Sequence, residues 1–368
     1  MKKTITGILV YTAMVLIYSC DSQGYNMYTQ LNPDGSCYRE FVRHTDSAFI
    51  AGDTSKNPFP VKLDSTWKLT FYKEMVNDTI RQMIDPAKHD YKNSDSTFSY
   101  YATVRKEFPS VRSLAESFRF SDSDWDSVVP VITYDKKFRW FYTYHEFGEA
   151  FPFQNPFTMV PIGNYVSKEE IETLYGENTD LYKGKIGIEI RDMIDALERR
   201  TNAWLNRNCY EETFKLYLKY YHQFRNLPVD SAAFAMAKDS IYKLYHNEDT
   251  LSDIISDFEK GFDNYFHTKA FSANTTKEIE EKFENEFPNY AKSFGMELDY
   301  GLSLPGKIIE TNAPFLSGDT LRWKVDGYRF FFNNYKLYGV SRKPNYWAFG
   351  VTGIIVLLSI LGFWVKKK

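Results

Sequence analysis

Residues 347–365 run for roughly 19 positions without a charge and are closed by Lys366, Lys367 and Lys368. At about 1.5 Å per helical residue, a run of that length just crosses the hydrocarbon core of a bilayer. Trp347 and Trp364 stand at its two ends, where indole rings favour the headgroup level. We read residues 347–365 as a transmembrane helix and 366–368 as a cytoplasmic tail. Everything before them must then fold beside a membrane.

The N-terminus carries a second address. Lys2 and Lys3 precede an apolar run from Ile5 to Ile17, closed by Tyr18-Ser19-Cys20. About 13 apolar residues are short for a span but suit a secretory signal peptide over residues 1–19. A cysteine at the cleavage point resembles a bacterial lipoprotein signal, in which that residue, here Cys20, becomes the lipidated start of the mature chain. Ser19 fits this pattern, whereas Tyr18 is bulky for its place. The competing reading is an ordinary leader, or an uncleaved anchor, with an incidental cysteine. With the leader lysines inside, residues 21–345 are expected outside the cytoplasm and the tail lysines within it. Arg342 and Lys343 on the outer flank weaken the charge bias, so the leader and the C-terminal run carry this expectation together. A helical span, and not a barrel, points to the bacterial inner membrane with a periplasmic bulk.

The chain as a whole has the composition of a folded protein, 43% hydrophobic and 25% charged, and its net charge of −3 argues for neither nucleic acid nor an acidic partner. The 28 Tyr and 30 Phe fit β-rich packing better than a carbohydrate platform. Residues 20–36 are polar and turn-rich and read as a tether. Residues 37–162 read as mostly strand: Trp67, Leu69 and Phe71 alternate with Lys68, Thr70 and Tyr72, and an aromatic run extends from Phe138 to Tyr144. Ser110 to Phe118 offers one short helix.

From 163 to 295 the period becomes helical. Ser167 and Glu170 form a capping box ahead of Ile171 and Leu174, and Ile186, Ile190, Met193, Ile194 and Leu197 follow at spacings of three and four. Further helices are expected over 231–246, 250–267 and 275–293. Strands return over 296–340, and residues 341–346 form a linker to the membrane. The expected fold is α+β: a mainly antiparallel β-domain with a large helical insertion and one C-terminal transmembrane helix. Two serial domains are the alternative.

No cofactor or metal motif stands out. Asp122, Asp124 and Asp126 mimic the start of a calcium loop, but Ser127 and Thr133 occupy the places that need Gly and Glu. His145, Glu146 and Glu149 are the densest titratable group, and on an alternating strand His145 and Glu149 share a face. The six histidines form no HxH or HExxH pattern, and there is no nucleophile elbow or phosphate loop. Cys37 and Cys209 are a possible disulfide in an oxidising compartment. The interleaved Lys136-Lys137-Phe138-Arg139-Trp140 reads as a strand with one wet face, since an exported domain meets no nucleic acid.

The leader, the mixed body, the turn Leu304-Pro305-Gly306-Lys307-Ile308-Ile309-Glu310-Thr311-Asn312 and a strand feeding a C-terminal span together resemble uncharacterised envelope lipoproteins of Bacteroidota-type bacteria. The layout is more distantly similar to LppM-like lipoproteins, which carry an exported α+β domain ahead of a C-terminal helix. The resemblance implies location and fold class, and no catalytic residue. Two functional expectations follow: a non-enzymatic envelope module that binds a partner protein or lipid, or a membrane-tethered hydrolase of envelope glycans or lipids whose carboxylates meet only in the fold.

Overall fold

The computed structural model describes residues 24–75, 81–87, 98–121, 125–153, 155–174, 184–245, 258–274, 277–286, 296–330 and 334–366. The class is α+β, with mostly antiparallel sheets, a helical segment and one apolar C-terminal helix. The chain divides into two compact units. One holds residues 23–152, 296–326 and 334–368, and the other holds the helical residues 153–295 with 327–333.

Among the described residues the β unit contains twelve strands. An eight-stranded sheet contains β1 (Tyr25–Leu31), β2 (Cys37–His44), β3 (Lys68–Met75), β4 (Arg81–Ile84), β5 (Phe98–Phe108), β8 (Glu297–Ser303), β10 (Phe315–Ser317) and β11 (Thr320–Asp326). Their order is β10-β11-β8-β1-β2-β5-β3-β4. A four-stranded sheet holds β6 (Val131–Phe138), β7 (Tyr142–Phe151), β12 (Tyr335–Pro344) and β9 (Lys307–Thr311), in the order β6-β7-β12-β9. Two short helices, α1 (Ser47–Ile50) and α2 (Val111–Ser117), lie between strands. The Ser110 hydroxyl caps α2 by accepting from the Ser113 N–H, as the expected short helix requires.

The polar stretch expected as a tether is instead a central strand. Met27, Thr29 and Leu31 alternate inward and are buried, and β1 pairs antiparallel with β2 and parallel with β8. Asn26, Tyr28 and Gln30 on the other face, with the inward Thr29, disguised this period of two. The β1–β8 pair also joins the first described strand to those that follow the helical residues.

The two sheets pack face to face. Their core runs through Phe41, Phe118, Phe120, Trp125 and Phe151, with successive ring centroids 4.9–6.4 Å apart. The Leu304–Asn312 segment is the corner where the chain leaves the large sheet for the small one. Gly306 has φ +86°, and a Cβ there would stand 2.4 Å from the Arg342 carbonyl oxygen, so only glycine fits. Asn312 stitches the corner: its Oδ1 accepts from Tyr338 N–H and Trp323 Nε1, and its Nδ2 donates to the Lys336 carbonyl.

The helical unit contains α3 (Lys168–Leu174), α4 (Gly187–Lys219), α5 (Ser231–Tyr245), α6 (Phe258–Tyr265), α7 (Ala270–Asn274), α8 (Lys277–Glu286) and α9 (Gly327–Phe330). The 33 residues of α4 extend for about 50 Å. Its second half, from Trp204 to Tyr217, is mostly buried. Phe214, Phe234, Phe262 and Phe271 form the centre, with Phe214 and Phe234 stacked at 4.5 Å. Buried Asp263 closes α7 by accepting from Phe271 N–H and from Ser272 N–H and Oγ.

The capping box at α3 forms as its spacing predicts: Glu170 accepts from Ser167 N–H and donates its own N–H to Ser167 Oγ. Arg200 on α4 adds a 2.7 Å ion pair. That guanidinium, helped by the cap, holds the Glu170 carboxyl down at about 2. A depressed carboxylate stabilises the fold above its ordinary pKa near 4.5 and loses that stability as pH falls towards 2. We expect Glu170→Gln to flatten the acid limb of the urea midpoint-versus-pH curve between about 4.5 and 2; a curve parallel to the parent's would show the pair to be idle.

Candidate functional site

The apolar C-terminal helix begins where β12 ends. Helix α10 (Tyr346–Lys366) is separated from β12 by Asn345 alone, so the six-residue linker expected from the sequence shrinks to one. Arg342, Lys343 and Pro344 still pair with Tyr144, Thr143 and Tyr142 of β7. α10 is long and apolar enough to cross a membrane, and Ala348 is its one buried residue. Ile354, Leu357, Leu358, Leu361 and Phe363 are all exposed, which no core helix of a soluble domain tolerates. Two polar side chains inside the apolar run are hydrogen-bonded: the Ser359 hydroxyl donates to the Ile355 carbonyl, and the Thr352 hydroxyl accepts from Trp140 Nε1.

Asn345 locks the joint. Its N–H donates to the Phe141 carbonyl, its Nδ2 to the carbonyls of Arg139 and Trp140, and its Oδ1 accepts from Thr143 Oγ1. Its own carbonyl accepts from Ala348 N–H in the first turn of α10. These bonds reach a hairpin tip that sequence reading missed. The aromatic run Phe138–Tyr144 is not one strand: β6 stops at Phe138, residues 139–141 turn, and β7 starts at Tyr142. No Gly, Asn or Pro announces this turn, because its side chains are spent on α10. Phe138 stacks on Trp347 at 6.3 Å, Trp140 meets the same indole edge-on at 5.3 Å, and Phe141 lies 4.7 Å from Phe349.

The titratable cluster lies elsewhere, between the sheets. His145 and Glu149 do share the inward face of β7 and are both buried, yet they do not meet as a pair. Glu149 binds Arg39 of β2 at 2.6 Å, with both side chains fully buried. Arg39 Nε donates to Thr29 Oγ1, and its guanidinium lies 4.3 Å over the Phe118 ring. Arg39 Nη1 and Glu149 Oε1 have no hydrogen-bond partner among the described residues. Burial, then the charge of Glu149, pushes the nearby Tyr300 hydroxyl well above its ordinary pKa. His145 instead shares a 2.8 Å hydrogen bond with the Tyr134 hydroxyl. Burial, followed by Lys136 and Lys343, lowers its pKa and keeps it neutral. The signal for the ion pair was available in Cys37-x-Arg39-x-Phe41, an arginine at an inward position of an alternating strand.

Sealed between two sheets, these groups reach no substrate. Among the described residues no group of three His, Cys, Asp or Glu is placed to hold a metal. Asp126 sits in a turn beside buried Trp125, while Asp122 and Asp124 lie outside the described residues, as does Cys20. Cys37 and Cys209, weighed as a possible disulfide, are each a free, buried thiol in this structure. Burial raises the two thiols to about 11 and about 12. We expect neither to react with a thiol reagent at neutral pH until denaturant is added; rapid labelling of the native protein would contradict their burial.

A groove of about 490 Å³ opens on the outer face of the small sheet. Gly148 keeps its floor low, since a Cβ there would come within 2.8 Å of Thr133 Oγ1. Glu146, Glu310, Lys336 and Tyr338 contribute polar groups to its lining. No family model, curated protein or solved structure matches the chain.

Proposed function

We propose that this protein is a membrane-mounted module of a bacterial cell envelope, which binds or scaffolds a partner protein or lipid outside the cytoplasm. The observation that carries the reading is the one-residue joint at Asn345. A sheet strand that passes into an apolar, solvent-facing helix with its backbone still paired holds the β unit at a set height above whatever the helix enters. A free binding protein or a diffusing enzyme has no use for such a mount.

The finer placement draws on the sequence. The leader over residues 1–19 would export the chain, Cys20 would carry a lipid, and α10 would sit in the inner membrane with the bulk in the periplasm, in keeping with the resemblance to Bacteroidota-type envelope lipoproteins. A binding role is favoured over hydrolysis by the fate of the core charges: Arg39 and Glu149 neutralise each other, and His145 is held neutral by burial. The groove beside Gly148 is the surface that the mount presents.

In-cell crosslinking of the tagged full-length protein, followed by mass spectrometry, tests this reading. One reproducible envelope partner, lost on Gly148→Arg in the groove, is the expected result. Capture of no protein or lipid above membrane background would sink it.

A further inference from the structure

The tip of the β6–β7 hairpin exposes three aromatic side chains that the β unit has no reason to show to water. Phe138 is 58% exposed, Trp140 46% and Phe141 37%, although all three already touch α10. Their position along the helix is informative. Trp140 donates its indole N–H to Thr352 at 2.9 Å, and Thr352 lies six residues beyond Tyr346, about 9 Å along the helix axis. The tip therefore runs beside the first two turns of α10, at the depth where a bilayer's headgroups would surround the entering helix.

The charges around the tip have the matching sign. Lys136 and Lys137 stand at the end of β6, Arg139 in the turn itself, and Arg342 and Lys343 at the end of β12. Lys137 is engaged by Glu146 and Asp135, Lys136 donates to the Pro33 carbonyl, and Arg342 lies over the Tyr142 ring. Arg139 and Lys343 are exposed and have no acidic partner among the described residues. Indole and phenyl rings with free cations beside an apolar helix are the side chains that the headgroup layer of an anionic membrane accommodates.

We propose that the β6–β7 tip is a second membrane-binding element, in which Trp140, Phe141 and Phe138 lodge among the headgroups of the leaflet that α10 enters while Arg139 and Lys343 face anionic lipid phosphates. This rests on the reading of α10 as a span. A single span leaves a domain free to swivel about the helix axis. A wedge beside the span removes that freedom, so the β unit keeps one face towards the bilayer and the groove keeps one direction.

The test uses the full-length chain, carrying Cys20→Ser, in phosphatidylcholine vesicles with and without phosphatidylglycerol. An environment-sensitive fluorophore is placed at Phe141→Cys on the tip, at Leu357→Cys in the middle of α10, or at Lys56→Cys on an exposed loop. Buried Cys37 and Cys209 remain unlabelled. Quenching by lipids brominated high on the acyl chain, or near its end, then reports depth. We expect the Phe141 probe to be quenched best by the shallow bromines, the Leu357 probe by the deep ones and the Lys56 probe by neither. Arg139→Glu should reduce quenching at Phe141 and abolish its dependence on phosphatidylglycerol, with the Leu357 probe unmoved. A quenched Leu357 probe beside a Phe141 probe as unquenched as Lys56 would overturn the wedge and leave the span intact. An unquenched Leu357 probe would overturn the span, and the wedge with it.

Discussion

Glu149→Leu should destabilise the β unit by about 3–5 kcal/mol, because it strands the guanidinium of Arg39 between two sheets with no counter-charge. The geometry leaves no relief. Arg39 is fully buried, its Nε is committed to Thr29, and its plane is held over Phe118. Arg39→Met should cost a similar amount by stranding the carboxylate. The double variant Arg39→Met/Glu149→Leu should recover most of the loss, since two apolar groups of similar volume replace a pair whose desolvation offsets much of its attraction. Urea unfolding in detergent, followed by tryptophan fluorescence, reads this as a midpoint lowered by roughly 1–3 M in each single variant. Equal midpoints for parent and Glu149→Leu would mean that the pair is not held as the structure has it. A double variant no better than its parents would assign the pair a positive role in fixing how the sheets face each other.

The helical unit should respond as strongly to Phe234→Ala. The ring is fully buried, stacks on Phe214 at 4.5 Å, and meets Phe262 and Phe271 at 5.1 and 5.3 Å. Removing it deletes the meeting point of α4, α5, α6 and α7, and rings this tightly interlocked cannot all slide inwards to fill the space. The expected cost is about 3–5 kcal/mol, against under about 2 kcal/mol for Phe234→Leu, which keeps most of the volume. Hydrogen exchange is the suitable readout, because it assigns the loss to peptides of α4 and α5. Unchanged protection from Trp204 to Tyr217 in the alanine variant would show that the aromatic cluster does not hold these helices together.

Much of the fold could be read one segment at a time. The strand propensity of β3 (though its Leu69 stays exposed), the capping box of α3, the Ser110 cap of α2 and the unbroken apolar run of α10 are local patterns. Each is set by side chains within one or two turns or pleats, and each appears where its pattern lies. β1 was missed because its inward residues, Met27, Thr29 and Leu31, are set among polar neighbours that look like a loop. The tip at residues 139–141 was missed for the opposite reason, as its aromatic residues look like a strand. In both places the composition answers to a neighbour that no local window contains, the partner strand β8 for one and α10 for the other.

The candidate sites show the same division. That His145 and Glu149 lie on one face follows from the period of a strand. That Glu149 meets Arg39, 110 residues away, and that His145 meets Tyr134 instead, follows from how the two sheets face each other. The sequence by itself determined an apolar C-terminal helix, a change of period from two to 3.6 near residue 163, and the α+β class, because hydrophobic periodicity and length are properties of the chain alone. Tertiary structure alone decided the parallel β1–β8 pairing, the buried ion pair, the free state of Cys37 and Cys209, and the gripping of α10 by a hairpin tip. Each of these depends on which distant segment arrives alongside, and that is settled by the packing of whole sheets.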